Sequence, residues 1–165
     1  QAMGADIEIG NHRVFGAEPV GDIRVRYSRS IEGISIPEEW VPSLIDELPV
    51  IMAMAAVTPG TTRIRGATEL RVKESDRIAS MAEGLATLGI RNEILDDGII
   101  IEGGSLGGGV IRTFHDHRIA MAFAIAALRA ATEIRILDCD HVATSFPGFD
   151  ALARGLGLQI SAMTD

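Results

Sequence analysis

Apolar residues at Ile78, Met81, Ala82, Leu85 and Leu88 recur at steps of three and four, the spacing that lays one face of a helix against a core. The pattern predicts a helix with Ser75 or Asp76 as its N-cap and Gly89 just past its end. The residues leading into it are of another kind. In Leu70-Arg71-Val72-Lys73-Glu74-Ser75-Asp76-Arg77, five of eight side chains are charged. Arg77 falls in the first turn, where the positive end of the helix dipole disfavours a cation unless something negative is bound nearby. That position marks a candidate anion site.

Elsewhere the period switches to two. Residues 22–27 and 33–36 alternate apolar with polar, as half-buried strands do, and the second run stops at Pro37. Pro42 and Pro49 suit the first turns of a short helix and of an Ala/Met-rich helix reaching Val57, which puts Asp46 at the approach to a helix N-terminus. A strand over residues 61–65 follows the turn Thr58-Pro59-Gly60. Residues 92–95 and 99–102 read as a hairpin around Asp96-Asp97-Gly98, with type I′ chemistry. The run from Gly103 to Gly109 opens no helix and is followed by no Lys-Ser/Thr, so it reads as a flexible strand connection and not as a phosphate loop. A second Ala-rich helix starts at Asp116-His117-Arg118, again with an acidic N-cap and a cation in the first turn.

These elements repeat. Thr62-Arg63-Ile64-Arg65 and Thr132-Glu133-Ile134-Arg135 lie 70 residues apart, each after a helix pattern, and the Leu88-Gly89 and Leu156-Gly157 pairs lie 68 apart. Met3-Gly4, Leu88-Gly89 and Leu156-Gly157 each read as helix end, glycine, strand. Such self-similarity predicts one supersecondary unit used repeatedly: an α/β fold of small duplicated units, with approximate boundaries at 1–90 and 91–165. The dinucleotide fingerprint is absent.

Composition narrows the functions open to such a fold. With 47% hydrophobic residues and a mean hydropathy of +0.22, the chain is globular. A net charge of −8 without a basic stripe argues against nucleic acid or an anionic membrane as partner. The longest apolar run, residues 119–128, is too short to span a bilayer. The single cysteine, Cys139, excludes a disulfide framework, implies a cytoplasmic setting and reads as a small buried residue. No metal-spaced Cys/His pattern occurs. The opening residues lack a start signal, from which the chain is expected to be the C-terminal part of a longer protein.

Ionisable groups concentrate at three helix starts: Asp46; Arg71, Lys73, Glu74 and Arg77; and Asp116, His117 and Arg118. If the units pack side by side, these starts converge on one edge, where helix dipoles and cations can hold a phosphate or carboxylate and embedded carboxylates can act as acid or base. The competing reading makes each stretch a cap or a solvated turn. Capping accounts for Asp76 and Asp116 but leaves Arg77 and Arg118 unexplained. His117 alone reads as a hydrogen-bonded structural histidine, and Met52, Met54 and Met121 as core.

Residues 70–77, Asp116-His117-Arg118-Ile119-Ala120-Met121 and Ala143-Thr144-Ser145-Phe146-Pro147 together closely resemble the 5-enolpyruvylshikimate-3-phosphate synthase family, over its C-terminal portion. The resemblance implies an inside-out α/β barrel fold built of βαβαββ units, about two of them present here, and a cleft whose other wall belongs to an N-terminal domain absent from this sequence. It implies transfer of the enolpyruvyl group of phosphoenolpyruvate to the 5-hydroxyl of shikimate 3-phosphate with release of phosphate, through a tetrahedral intermediate and with no metal or organic cofactor. By motif, Asp46 matches the carboxylate that binds the shikimate hydroxyls and is proposed to take the proton. Lys73 matches the lysine of the same site, Glu74 the acid/base group near the phosphoenolpyruvate methylene, and Arg77 and Arg118 the guanidinium groups that hold phosphoenolpyruvate. His117 stands beside them.

One position departs from the pattern. Many members carry a lysine where this chain has Thr144, and threonine there resembles the subgroup containing naturally glyphosate-tolerant enzymes. Two rival readings are the related transferase acting on UDP-N-acetylglucosamine, which lacks the Arg-Val-Lys-Glu-Ser-Asp-Arg phrase, and a non-catalytic binding module, against which the intact Asp46, Lys73, Glu74, Arg77 and Arg118 argue. The isolated chain is expected to be inactive.

Overall fold

The computed structural model of the chain describes residues 1–163. In order, its elements are β1 (Asp6–Phe15), β2 (Glu18–Arg26), α1 (Val41–Leu44), α2 (Leu48–Ala55), β3 (Thr61–Ile64), α3 (Arg77–Thr87), β4 (Asn92–Leu95), β5 (Gly98–Glu102), β6 (Gly109–Arg112), α4 (His117–Ala126), β7 (Ile134–Leu137), α5 (Asp140–Ser145) and α6 (Phe149–Gly155), with short 3-10 segments at Glu38–Trp40, Ile45–Glu47, Thr68–Val72 and Ala127–Arg129. The strands form an antiparallel β1–β2 hairpin, an antiparallel sheet ordered β3-β5-β4, and a parallel β6–β7 pair. The parallel pair needs a crossover, and α4 supplies it. Among the described residues no helix is long and apolar enough to cross a membrane.

The core lies between the central sheet and α2, α3 and α4. Met52, Ile64, Met81, Leu85, Ile99 and Phe123 are all fully buried in it. Close approach of α3 and α4 requires Gly84, because a Cβ there would lie 2.2 Å from Cζ of Phe123. The predicted boundaries of α3 hold: Asp76 Oδ1 accepts the Ala79 N–H at 3.0 Å, and Gly89 takes φ +86° just past the end. The hairpin at residues 92–102 is also formed, and it joins β3 in one sheet.

Several expectations are corrected. Residues 22–26 do lie in a strand, β2, but it is not half buried: Ile23 and Val25 are exposed, as is Ile9 on β1, because alternation selects an apolar face and only a covering layer buries it. Residues 33–36 make a single bridge to β3, Ser35 to Arg63. Among the described residues no strand follows Gly157, since a strand requires a partner as well as a glycine turn. The β4–β5 turn is not type I′, for neither Asp96 nor Asp97 has positive φ, a conformation costly for residues with a Cβ.

The glycine-rich connection is packed, not loose. A Cβ on Gly103 would fall 1.6 Å from the Thr58 carbonyl oxygen and one on Gly108 2.2 Å from Thr132 Oγ1, so these glycines answer close backbone approach. Cys139 is exposed; partial desolvation, with Asp138 and Asp140 beside it, pushes its thiol pKa up. Met54 is partly exposed and Met121 half-buried; only Met52 of the three is core.

Candidate active site

Each of the three charged stretches sits where a helix begins. Asp46 lies in the 3-10 segment that runs into α2. Asp76 caps α3, and Asp116 caps α4 by accepting the Arg118 N–H on Oδ1 at 2.9 Å. Packing of α2 against α3 and α4 brings these starts to one edge, as the repeat implied.

Arg77 is the hub. Its side chain is only 1% exposed, and its guanidinium donates from Nε to Asp116 Oδ2 at 2.8 Å, from Nη1 to Asp46 Oδ1 at 3.1 Å, and from Nη2 to Glu74 Oε2 at 2.5 Å. The cation at the helix start, taken from sequence as a sign of a bound anion, is thus already met by three carboxylates of the chain itself. A buried guanidinium demands such partners. The Nε edge rests on Asp116, which is fully buried; the Nη edge rests on Asp46 and Glu74, whose side chains are about half exposed.

Arg118 crosses to the same place from the start of α4. Its Nη1 donates to the Asp46 carbonyl oxygen at 2.7 Å and to Glu47 Oε1 at 3.2 Å, and its Nη2 lies 3.9 Å from Asp46 Oδ2. Lys73 Nζ stands 3.6 Å from Asp46 Oδ1 and 2.5 Å from Glu69 Oε1. Asp46, Lys73, Glu74, Arg77 and Arg118 therefore form one connected cluster. Arg71 is not part of it and turns toward the β4–β5 turn.

The electrostatics follow from this geometry. For Asp46, desolvation would raise the pKa, but Arg118, Lys73 and Arg77 outweigh it and hold the carboxyl below the ordinary range. Burial likewise acts upward on Asp116, yet Arg77, the Arg118 amide and the Ser75 hydroxyl bring it down. The Glu69 carboxylate is the main cause that raises Lys73, with Asp46 adding to it against some desolvation. Both aspartates are ionised and Lys73 is charged at neutral pH.

His117 faces a different part of the edge. An open pocket of about 420 Å³ is lined by Glu74, Phe114, His115, His117, His141, Thr144 and Ser145, so Glu74 borders both the cluster and this pocket. The pocket walls come from the segments after β6 and β7. Phe114, His115 and Asp138 there have positive φ, and the Thr113 hydroxyl ties the two segments by donating to carbonyls of Leu137 and Asp138. His141 Nδ1 lies 2.7 Å from the His115 carbonyl oxygen; a carbonyl only accepts, so Nδ1 carries the proton.

One member of the network, Glu69, is not among the sequence candidates, although it lies four residues before Lys73, a helical spacing just outside the motif. Asp116 is among the candidates as a capping residue at a charged helix start, but its partnership with Arg77 across 39 residues leaves no local signal.

Residues 1–152 match the model of the family described as EPSP synthase (3-phosphoshikimate 1-carboxyvinyltransferase). The chain is 58% identical over 158 residues to a 3-phosphoshikimate 1-carboxyvinyltransferase of Methylococcus capsulatus and 53% identical over 160 residues to one of Xanthomonas oryzae. These matches cover 96% and 97% of this chain and 36% of each relative, so the chain spans about a third of their length. A solved structure of EPSP synthase from Acinetobacter baumannii superposes with a TM-score of 0.95 at 47% identity, over 99% of this chain and 38% of that one.

Proposed function

The chain belongs to the EPSP synthase family, and from that premise we propose that the protein of which it is a part transfers the enolpyruvyl group of phosphoenolpyruvate to the 5-hydroxyl of shikimate 3-phosphate, releasing phosphate, in the cytoplasm. One observation carries the reading to this chain: Asp46, Lys73, Glu74, Arg77 and Arg118, spread over 73 positions of sequence, share a single network. Phosphoenolpyruvate and shikimate 3-phosphate are its proposed substrates, and the missing N-terminal domain of the same polypeptide is its proposed partner across the cleft.

In this proposal the residues divide by what each can reach. Arg77, anchored through Nε by Asp116, offers its Nη edge to the carboxylate of phosphoenolpyruvate, which takes the place of half-exposed Glu74 and Asp46. Arg118 closes on the same group from α4, and a guanidinium fork suits a carboxylate better than a point charge does. Released from Arg77, Glu74 stands beside the pocket, takes up a proton from solvent and gives it to the methylene carbon as the 5-hydroxyl oxygen attacks the adjacent carbon, then removes one from the methyl group so formed when phosphate leaves. Asp46, ionised and flanked by Lys73, accepts hydrogen bonds from the ring hydroxyls and takes the proton of the attacking one. Its depressed pKa makes it a weak base in the empty site; bound anions that neutralise Arg118 and Lys73 raise its basicity when the hydroxyl is in place.

The two proposed repeat units, 1–90 and 91–165, place Asp46 to Arg77 in the first and Arg118 in the second. The test is to express the polypeptide with its upstream sequence and measure phosphate release. Release that requires both phosphoenolpyruvate and shikimate 3-phosphate is expected. Turnover with UDP-N-acetylglucosamine instead, or with neither acceptor, would overturn the proposal.

A further inference from the structure

The segment that carries Lys73 and Glu74 has no regular structure of its own. The 3-10 turn Thr68–Val72 ends in extended backbone at Lys73, and α3 begins only after Asp76. Val72, the last residue of that turn, is largely exposed, and beyond it Glu74 stands out beside the pocket. Something must hold these four residues in one place.

Both ends of the excursion are fastened to one object, the turn between β4 and β5. On the upstream side, Gly66 N donates to Asp97 Oδ2 at 3.0 Å and Ala67 N to the Asp97 carbonyl at 2.7 Å. On the downstream side the link is Arg71. Its Nη2 donates to the Leu95 carbonyl at 2.6 Å, its Nε to the Asp96 carbonyl at 2.9 Å, and its Nη1 to Asp76 Oδ2 at 2.8 Å. Asp76 in turn caps α3 through its other oxygen. Arg71 and Asp76 thus close a loop over residues 72–75, and the hairpin turn holds that loop against the body of the protein.

We propose that Arg71 is a positioning residue: by joining the β4–β5 turn to the N-cap of α3, it sets where Lys73 and Glu74 stand relative to Asp46 and Arg77. The role requires arginine. Three acceptors lie in different directions around one planar fork, which an ammonium on a flexible stem does not reproduce. Without the clamp, the residues between Arg71 and Asp76 regain backbone freedom that only side-chain contacts then restrain, Lys73 to Glu69 and Asp46, Glu74 to Arg77 and Ser75 to Asp116, and displacement of about 1 Å at reacting groups costs on the order of 10²-fold in rate. This kinetic consequence rests on the function proposed above; the clamp itself does not.

The experiment uses the full-length protein with Arg71→Lys, and Asp97→Asn as a second variant that loosens the same turn while keeping Arg71. Backbone order parameters from 15N relaxation should fall across residues 72–76 in both variants, with those in the body of α3 unchanged. In turnover, Arg71→Lys should lower kcat by about 10- to 100-fold with KM values changed less than threefold, and the loss should shrink at least threefold in a Glu74→Gln background, Lys73 accounting for what remains. Unchanged order parameters at 72–76, or a kcat loss that shrinks less than threefold without Glu74, would overturn the inference. If the wild-type protein turns over neither substrate, the proposed function falls while the relaxation measurement still decides the clamp.

Discussion

Arg77 Nε and Asp116 Oδ2 lie 2.8 Å apart with both side chains buried, 1% and 0% exposed. This pair joins the start of α3 to the start of α4 and fixes which edge of the guanidinium remains for a ligand. Removing one partner of a buried pair strands the other, a loss of about 3–5 kcal/mol. Asp46 and Glu74 still contact Arg77, so Asp116→Ala in the full-length protein should fall near the lower end, about 3 kcal/mol by urea unfolding. A change below about 1 kcal/mol would show that the half-exposed carboxylates suffice.

The same pair sets an acid dependence. Asp116 and Asp46 both have folded pKa values below the unfolded value of about 3.9. Their contribution is present above that value and is lost as pH falls through the lower folded values. Stability should therefore decline as pH drops below about 4, and the decline should be shallower in Asp116→Asn. Unfolding titrations between pH 2 and 7 at constant ionic strength check this, and parallel curves for the two proteins would contradict it.

Arg118 is half-buried where Arg77 is sealed. Arg118→Ala should weaken phosphoenolpyruvate binding by about 2–5 kcal/mol with little change in Tm, whereas Arg77→Ala should lower both. Calorimetric titration of the full-length variants distinguishes them. If shikimate 3-phosphate affinity fell equally and phosphoenolpyruvate affinity stayed the same, the assignment would be wrong.

Glu74→Gln keeps an oxygen acceptor for Arg77 Nη2 but cannot exchange a proton at neutral pH. A fall in kcat of about 10²–10⁴ with substrate affinities little changed is expected from loss of acid/base assistance. A near-normal kcat would leave Glu74 as a structural partner of Arg77 alone.

The isolated 165-residue chain should release no phosphate from the two substrates together. One wall of a cleft cannot hold two anions in reacting geometry. Measurable release dependent on both would refute this.

The sequence by itself determined what is local. Period and capping residues placed α3 between an N-cap at Ser75 or Asp76 and Gly89 just past its end, because a helix face and its ends are written within a dozen residues. The alternation of helix and strand patterns pointed to an α/β fold, and the charged helix starts pointed to Asp46, Lys73, Glu74, Arg77 and Arg118. Tertiary structure alone decided what each charge meets. Arg77 looked like an unsatisfied cation because its main partner, Asp116, is 39 residues away, and Arg71 looked like one more anion ligand because the turn carbonyls that bind it carry no sequence signature. The exposed faces of β1 and β2 and the packed glycines at 103 and 108 have the same cause. Alternation and composition describe one segment, while burial and close approach are properties of two, and only folding brings the second to the first.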